Sequence, residues 1–149
     1  MTVTLTETIN LNGSNQGASN SQSIPSIAEV SKRIVTVTTT EAVIATFSAV
    51  IGAGNYIAAD VKYMRFTNLD DTNFITLTLR NQDNDEVAIK IDAGNSFALF
   101  GDNSGGMAAI FNATEDADAA SSANLGSLTN IQADADTGSC DLEMFIASV

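Results

Sequence analysis

The sequence predicts an all-β protein, a β-sandwich or jelly roll carrying an extended N-terminal arm. Three observations lead there. Ile75, Leu77 and Leu79 alternate with Thr76, Thr78 and Arg80, and beyond a polar tip at residues 81–85, Val87, Ile89 and Ile91 alternate with Ala88, Lys90 and Asp92. Successive side chains of a strand point to opposite faces, so period-two alternation on both sides of a short polar loop predicts a half-buried hairpin. Roughly eight to ten short runs of this kind follow one another with turn residues between them and almost no helical period, which predicts two antiparallel layers. Residues 12–23 (NGSNQGASNSQS) are small and polar with almost nothing to bury, and they set a first strand apart from the body.

Taken in order, residues 2–11 alternate Val3, Leu5, Ile9 and Leu11 with Thr4, Thr6, Thr8 and Asn10, which reads as a strand. With the polar linker this makes an arm over residues 1–29 and a sandwich domain over residues 30–149. The arm has two readings: a floppy terminus, or a strand that pairs with the sheet edge of a neighbouring subunit. Ser26-Ile27-Ala28-Glu29, after the single proline Pro25, predicts a helical turn. The β-branched run at residues 33–40 predicts a strand. Residues 41–51 place Val43, Ala45, Phe47, Ala49 and Ile51 on one face and Ile44 and Val50 on the other, a strand covered on both sides. Gly52-Ala53-Gly54-Asn55 is a turn. In the next strand, residues 59–67, the faces Val61/Tyr63/Arg65 and Lys62/Met64/Phe66 balance, so its orientation stays open. After the hairpin, Asp92-Ala93-Gly94-Asn95 turns the chain into a third run at 96–100, predicting a meander. Residues 101–106 form a loop, 107–112 a short strand, and 113–127 an acidic segment in which Thr114 caps a short helix. Residues 128–134 and 139–148 close the chain as a hairpin.

At 149 residues the chain makes one domain, able to bury roughly 68–70% of its unfolded surface without metal or disulfide support. Its net charge is −12, and all six bases (Lys32, Arg33, Lys62, Arg65, Arg80, Lys90) precede residue 91. A surface of that sign repels phosphate backbones, which argues against direct nucleic-acid binding. The most apolar stretch, residues 42–59, is interrupted by Thr46, Ser48, Gly52, Gly54 and Asn55, so no membrane span is expected. Residues 1–7 show neither a basic segment nor an apolar run, so no signal peptide is expected and synthesis in the cytoplasm follows.

Chemistry is hard to place on this sequence. Histidine is absent, which removes serine–histidine and cysteine–histidine nucleophiles and every histidine metal site. Cys140, the single cysteine, shares a strand face with Leu142, Met144 and Ile146 and reads as a small buried hydrophobe. Gly52-Ala53-Gly54 imitates the start of a dinucleotide fingerprint, but Ile57 stands at the third glycine position and no helix follows, so a turn is the reading. Acids cluster at Asp70/Asp71, Asp83/Asp85/Glu86, Glu115/Asp116/Asp118 and Asp134/Asp136 without the EF-hand spacing, and read as solvated loop tips. The one arrangement worth testing for calcium joins Asp83, Asp85 and Asp136. Asn12-Gly13-Ser14 and Asn112-Ala113-Thr114 match the glycosylation pattern without a secretory context. A carboxylate pair working as a glycosidase stays open, although no acid sits among aromatic residues. No catalytic, cofactor-binding or metal residue is therefore expected, and no cofactor.

A resemblance adds to this. VKYMRFTNLDDTNFITLTL, VAIKIDAGNSFALF and LTNIQADADTGSCDLEMFIAS resemble segments of small structural proteins from tailed bacteriophages. There an R-x-T-N strand, a hairpin, an A-G-x-S-F turn and a closing D-L-E-x-F-I-A-S strand occur together; here they fall at Arg65–Asn68, Ala93–Phe97 and Asp141–Ser148. The likeness covers about the last two thirds of the chain, and residues 1–59 lie outside it. It implies a jelly-roll virion component of the head decoration (cement) type, located in the virion and working as a dimer or trimer. Its partners would be the major capsid protein or other virion proteins, with neighbouring capsomers stapled together. The bases before residue 91, Lys32, Arg33 and Lys62 among them, would then lie nearer the shell and the acidic C-terminal loops toward solvent. A tail or head–tail adaptor protein, forming a ring, would carry the same resemblance. A lectin-like carbohydrate-binding module would need an exposed aromatic platform, for which Tyr56, Tyr63 and Phe145 are the candidates.

Overall fold

The structure is a computed structural model and describes residues 1–101, 105–111 and 126–149. It is all-β and sandwich-like, with thirteen strands and no α-helix among the described residues. The strands are β1 (Thr2–Thr6), β2 (Asn10–Leu11), β3 (Ser14–Asn15), β4 (Ser19–Ser23), β5 (Glu29–Val37), β6 (Ala42–Ser48), β7 (Tyr56–Ile57), β8 (Val61–Asn68), β9 (Ile75–Asn81), β10 (Glu86–Ile91), β11 (Ser96–Phe100), β12 (Leu128–Ala135) and β13 (Cys140–Ser148). One layer has the order β11-β8-β13-β5 and the other β10-β9-β12-β6-β7.

The pairings nest. β5 pairs with β13, β6 with β12, β8 with β11 and β9 with β10, all antiparallel, so the chain from 29 to 148 runs out and back on itself about the β9–β10 tip. Pairing of β13 with β8 and of β12 with β9 then wraps this long ribbon into two layers. Between them lies one core, in which Met64, Phe66, Ile75, Leu77, Ile131, Leu142, Met144 and Ile146 are excluded from water. Cys140 sits in the same row, as its alternation predicts.

Two predicted hairpins change partners. β9 and β10 do pair, with Arg80 opposite Glu86, but β11 crosses to the other layer and joins β8, so there is no meander. The closing strands β12 and β13 both form, yet they lie in opposite layers and do not pair with each other. Alternation tells a strand which face is buried; it is identical whether the next strand lies beside it or across the core. Other expectations are corrected too. Residues 26–29 contain a tight turn with Ser26 at φ 60° and then the start of β5, not a helical turn. Met107–Ala109 is a short 3-10 turn rather than part of a strand. The helix expected at 113–127 falls, but for its last two residues, outside the described residues, as do Asn112 and the acids Glu115, Asp116 and Asp118.

A bulge explains one ambiguous strand and burial on both faces explains the other. β6 spends two steps, Ala45 to Val43, where β12 spends one, Ile131 to Gln132. The extra residue, Ile44, shifts the phase, so Ile44, Ala45 and Phe47 are buried while Val43 is exposed. In β8, Met64 and Phe66 enter the core while Tyr63 is buried on the opposite face, beneath the root of the arm. That strand is covered on both sides, which is why its two faces balance.

Candidate interaction surface on the arm

Residues 12–23 are not an unstructured linker. Thr2 pairs with Ser23 and Thr6 with Ser19; Asn10 pairs with Asn15 and Leu11 with Ser14. Glu7 N–H donates to Ala18 O (2.8 Å) and Gln16 N–H to Ile9 O (2.7 Å), so one register runs the whole length of a long hairpin. Its tip is Asn12-Gly13 at φ 51° and 80°. Both residues of a two-residue type I′ turn need positive φ, which asparagine and glycine adopt at least cost. This dipeptide was the sequence signal for the hairpin; the low complexity around it concealed the alternation. At the base, the Met1 amino group donates to Ile24 O (2.9 Å) and Ile24 N–H to Met1 O (2.8 Å).

The root of the arm is anchored and the rest is bare. Ile24, with Val3 and Ile27 beside it, packs on the outer face of the β11-β8-β13-β5 layer against Tyr63, Ala98, Phe100, Phe145 and Ala147. Tyr63 meets Phe100 and Phe145 edge-on, with ring centres 5.1 and 6.0 Å apart. Beyond Val3, constant register sets Leu5, Glu7, Ile9 and Leu11 on one face and the threonines on the other. Leu5, Ile9 and Leu11 are exposed, and Thr4–Ser21 and Thr6–Ser19 hydroxyl pairs (3.4 and 3.5 Å) line the opposite face.

Beside the root lies a charged cluster. Glu143 on β13 bridges Lys32 on β5 (2.9 Å) and Arg65 on β8 (2.5 Å), and the Arg65 guanidinium lies 5.8 Å from the centre of the Phe145 ring. Hydrogen bonding from Lys32, then from Arg65, holds the Glu143 carboxyl below the usual carboxylate range against the opposing effect of burial. Lys32, Tyr63, Arg65 and Phe145 form one wall of a groove of about 340 Å³ whose other wall is residues 1–4 of the arm. Arg65 and Glu143 each lie in one of the phage-like segments, but nothing in the sequence joins residues this far apart.

The remaining expectations resolve individually. Asp83 and Asp85 sit at the β9–β10 tip, where the buried Asn81 side chain accepts from both of their N–H groups (2.9 and 2.8 Å). Asp136 follows β12 at the far end of the same sheet, since Leu128 is opposite Asn81 and Ala135 opposite Ile75. At ~3.3 Å per residue the two loops are roughly 20 Å apart, so the calcium junction is ruled out. Among the described residues no group of three or more acidic, cysteine or histidine side chains is placed to hold a metal ion. The Asp70 carboxyl accepts from Asn73 and Thr72 N–H (2.6 and 2.8 Å), which lowers its pKa and closes the loop before β9. The Cys140 thiol is pushed up, first by burial and then by Asp70. Arg33 donates across the sandwich edge to Ile44 O, so of the three bases expected near a shell it faces the other layer. The lectin candidates do not converge: Tyr56 packs on Phe47 in one layer, and Tyr63 and Phe145 lie on the outer face of the other. No helix of the described residues is long and apolar enough to cross a membrane.

No protein-family model matches the chain, and no curated protein does. A solved chain reported under the description "Bacillus endospore appendages form a novel family of disulfide-linked pili" is similar over 81% of this chain and 85% of its own, at 12% identity and a TM-score of 0.45.

Proposed function

We infer that this chain is a structural assembly subunit of the tailed-phage head decoration type, a jelly roll whose hairpin arm engages neighbouring copies on the capsid surface. The arm carries this reading. A two-stranded hairpin is marginal on its own in water, and this one has three exposed apolar side chains, Leu5, Ile9 and Leu11, along one face. Such a strip gains stability when a partner covers it. The nested pairing of eight strands from β5 to β13 supports the jelly-roll assignment, which needs two interlocked Greek keys. The head setting comes from the phage-like segments at residues 60–148. Lys32 and Lys62 flank the arm root, in keeping with a basic side toward the shell.

Light scattering on the full chain and on a chain lacking residues 2–23 tests the reading, together with co-sedimentation with expanded empty phage heads. Dimers or trimers that become folded monomers on arm removal, and head binding weakened by Lys62→Glu, are expected. A full chain that stays monomeric at its highest soluble concentration and leaves the heads unbound would overturn it. A head-to-tail arm contact also fits the ring of a head–tail adaptor, and electron microscopy of the assembled protein distinguishes a closed ring from a lattice of small oligomers.

A further inference from the structure

The strand β5 hydrogen-bonds to β13 on one side, and among the described residues no strand pairs with its other edge. It is nine residues long and contains no proline, so it has neither of two common protections of an exposed edge. Register with β13 puts Val30, Lys32, Ile34 and Thr36 on the outer face, where Val30 and Ile34 are 51% and 59% exposed.

The bare face of the arm repeats this pattern in the opposite direction. Laid antiparallel with Glu7 opposite Lys32, it brings Leu5 opposite Ile34 and Ile9 opposite Val30. Slipping by two residues in one direction sets Glu7 against Ile34 and Ile9 against Lys32; slipping the other way sets Glu7 against Val30 and Leu5 against Lys32. Among antiparallel registers like pairs with like in this one alone, and cross-strand pairs are what fix a register. Charge agrees. Lys32 and Arg65 share the single carboxylate of Glu143, and Arg65 Nε is buried without a partner. Glu7, the one charged side chain before Glu29, supplies the anion that this cluster lacks. Within one chain the arm and β5 form no ladder.

We propose that the free edge of β5 accepts residues 3–11 of a second copy's arm as an added antiparallel strand, with Glu7 opposite Lys32. This rests on the assembly reading and names its docking site. One arm and one edge per copy make a heterologous contact, which closes as a ring or as a reciprocal pair.

Directly opposed residues of an antiparallel pair lie ~4.5–5.5 Å apart at Cα, within reach of a disulfide. Leu5→Cys chains mixed with Ile34→Cys chains and oxidised should therefore give a covalent dimer, while Leu5→Cys with Thr36→Cys, displaced by two residues, should not. All three positions are exposed, and Cys140 is buried, so folding and background are preserved. Glu7→Lys should weaken association about tenfold (~1.4 kcal/mol). If arm-dependent oligomers persist in light scattering but the Leu5–Ile34 cross-link fails, or the displaced pair links instead, the docking site is wrong and the assembly reading stands. If the full chain never associates, both fall.

Discussion

The arm and the body are built from the same alternating strands, yet they are stabilised by different means. In the body each strand's apolar face meets another layer, and side chains such as Phe66 and Leu77 leave water altogether. The arm keeps one pairing register from residue 1 to 24, interrupted at residues 7–9 and 16–18, where the Asn15 side chain takes the Ile9 and Gly17 N–H groups, and it buries only its root, around Ile24 and Val3. Net hydrogen-bond gains are small because the unfolded chain bonds to water, whereas apolar burial scales with area. Backbone pairing specifies the arm's shape; burial is what would make that shape persist. A region that is shaped but not buried is suited to completing itself on a partner.

Three experiments test this contrast. The largest effect belongs to the core: Phe66→Ala leaves a cavity between the layers and should cost ~3–5 kcal/mol in urea unfolding, with the midpoint of the whole body shifted. A smaller, local effect is expected at the arm tip. Gly13 sits at φ 80° with open space around it, so Gly13→Ala introduces backbone strain of ~1 kcal/mol without a clash. Hydrogen exchange at residues 3–22 should quicken while the urea midpoint stays put; a midpoint shift would mean that the arm folds as part of the body. The smallest effect concerns the cluster at the arm root. The folded Glu143 carboxyl titrates below its ordinary value of 4.5, so its contribution is present above that pH and is lost as pH falls through the folded value. Glu143→Gln should flatten the stability–pH curve in that acid range, and an unchanged curve would show the cluster to be energetically idle.

The alternation of Ile75–Leu79 and Cys140–Ile146 made strands, buried faces and the all-β class legible from residue order alone, because period two is a local property of extended backbone; that of Val3–Leu11 marked extended chain, but its apolar face is exposed beyond Val3. Phase was lost at Ile44, where a bulge shifts it, and orientation was lost at Tyr63, where the arm root covers a second face. The hairpin of the arm was written in Asn12-Gly13, though the surrounding serines and asparagines masked its pairing partners. The Lys32–Glu143–Arg65 cluster was not legible at all, since its members lie on three strands.

Residue order sets which segments extend and which strand faces are apolar, and it leaves neither histidine chemistry nor a disulfide within the chain available. Tertiary structure alone decided which strand lies beside which, sending β12 and β13 to opposite layers, separating Asp83 from Asp136 and gathering three charges beneath the arm. The reason is that pairing partners are chosen by how a whole ribbon wraps around one shared core, a global condition that no local pattern records.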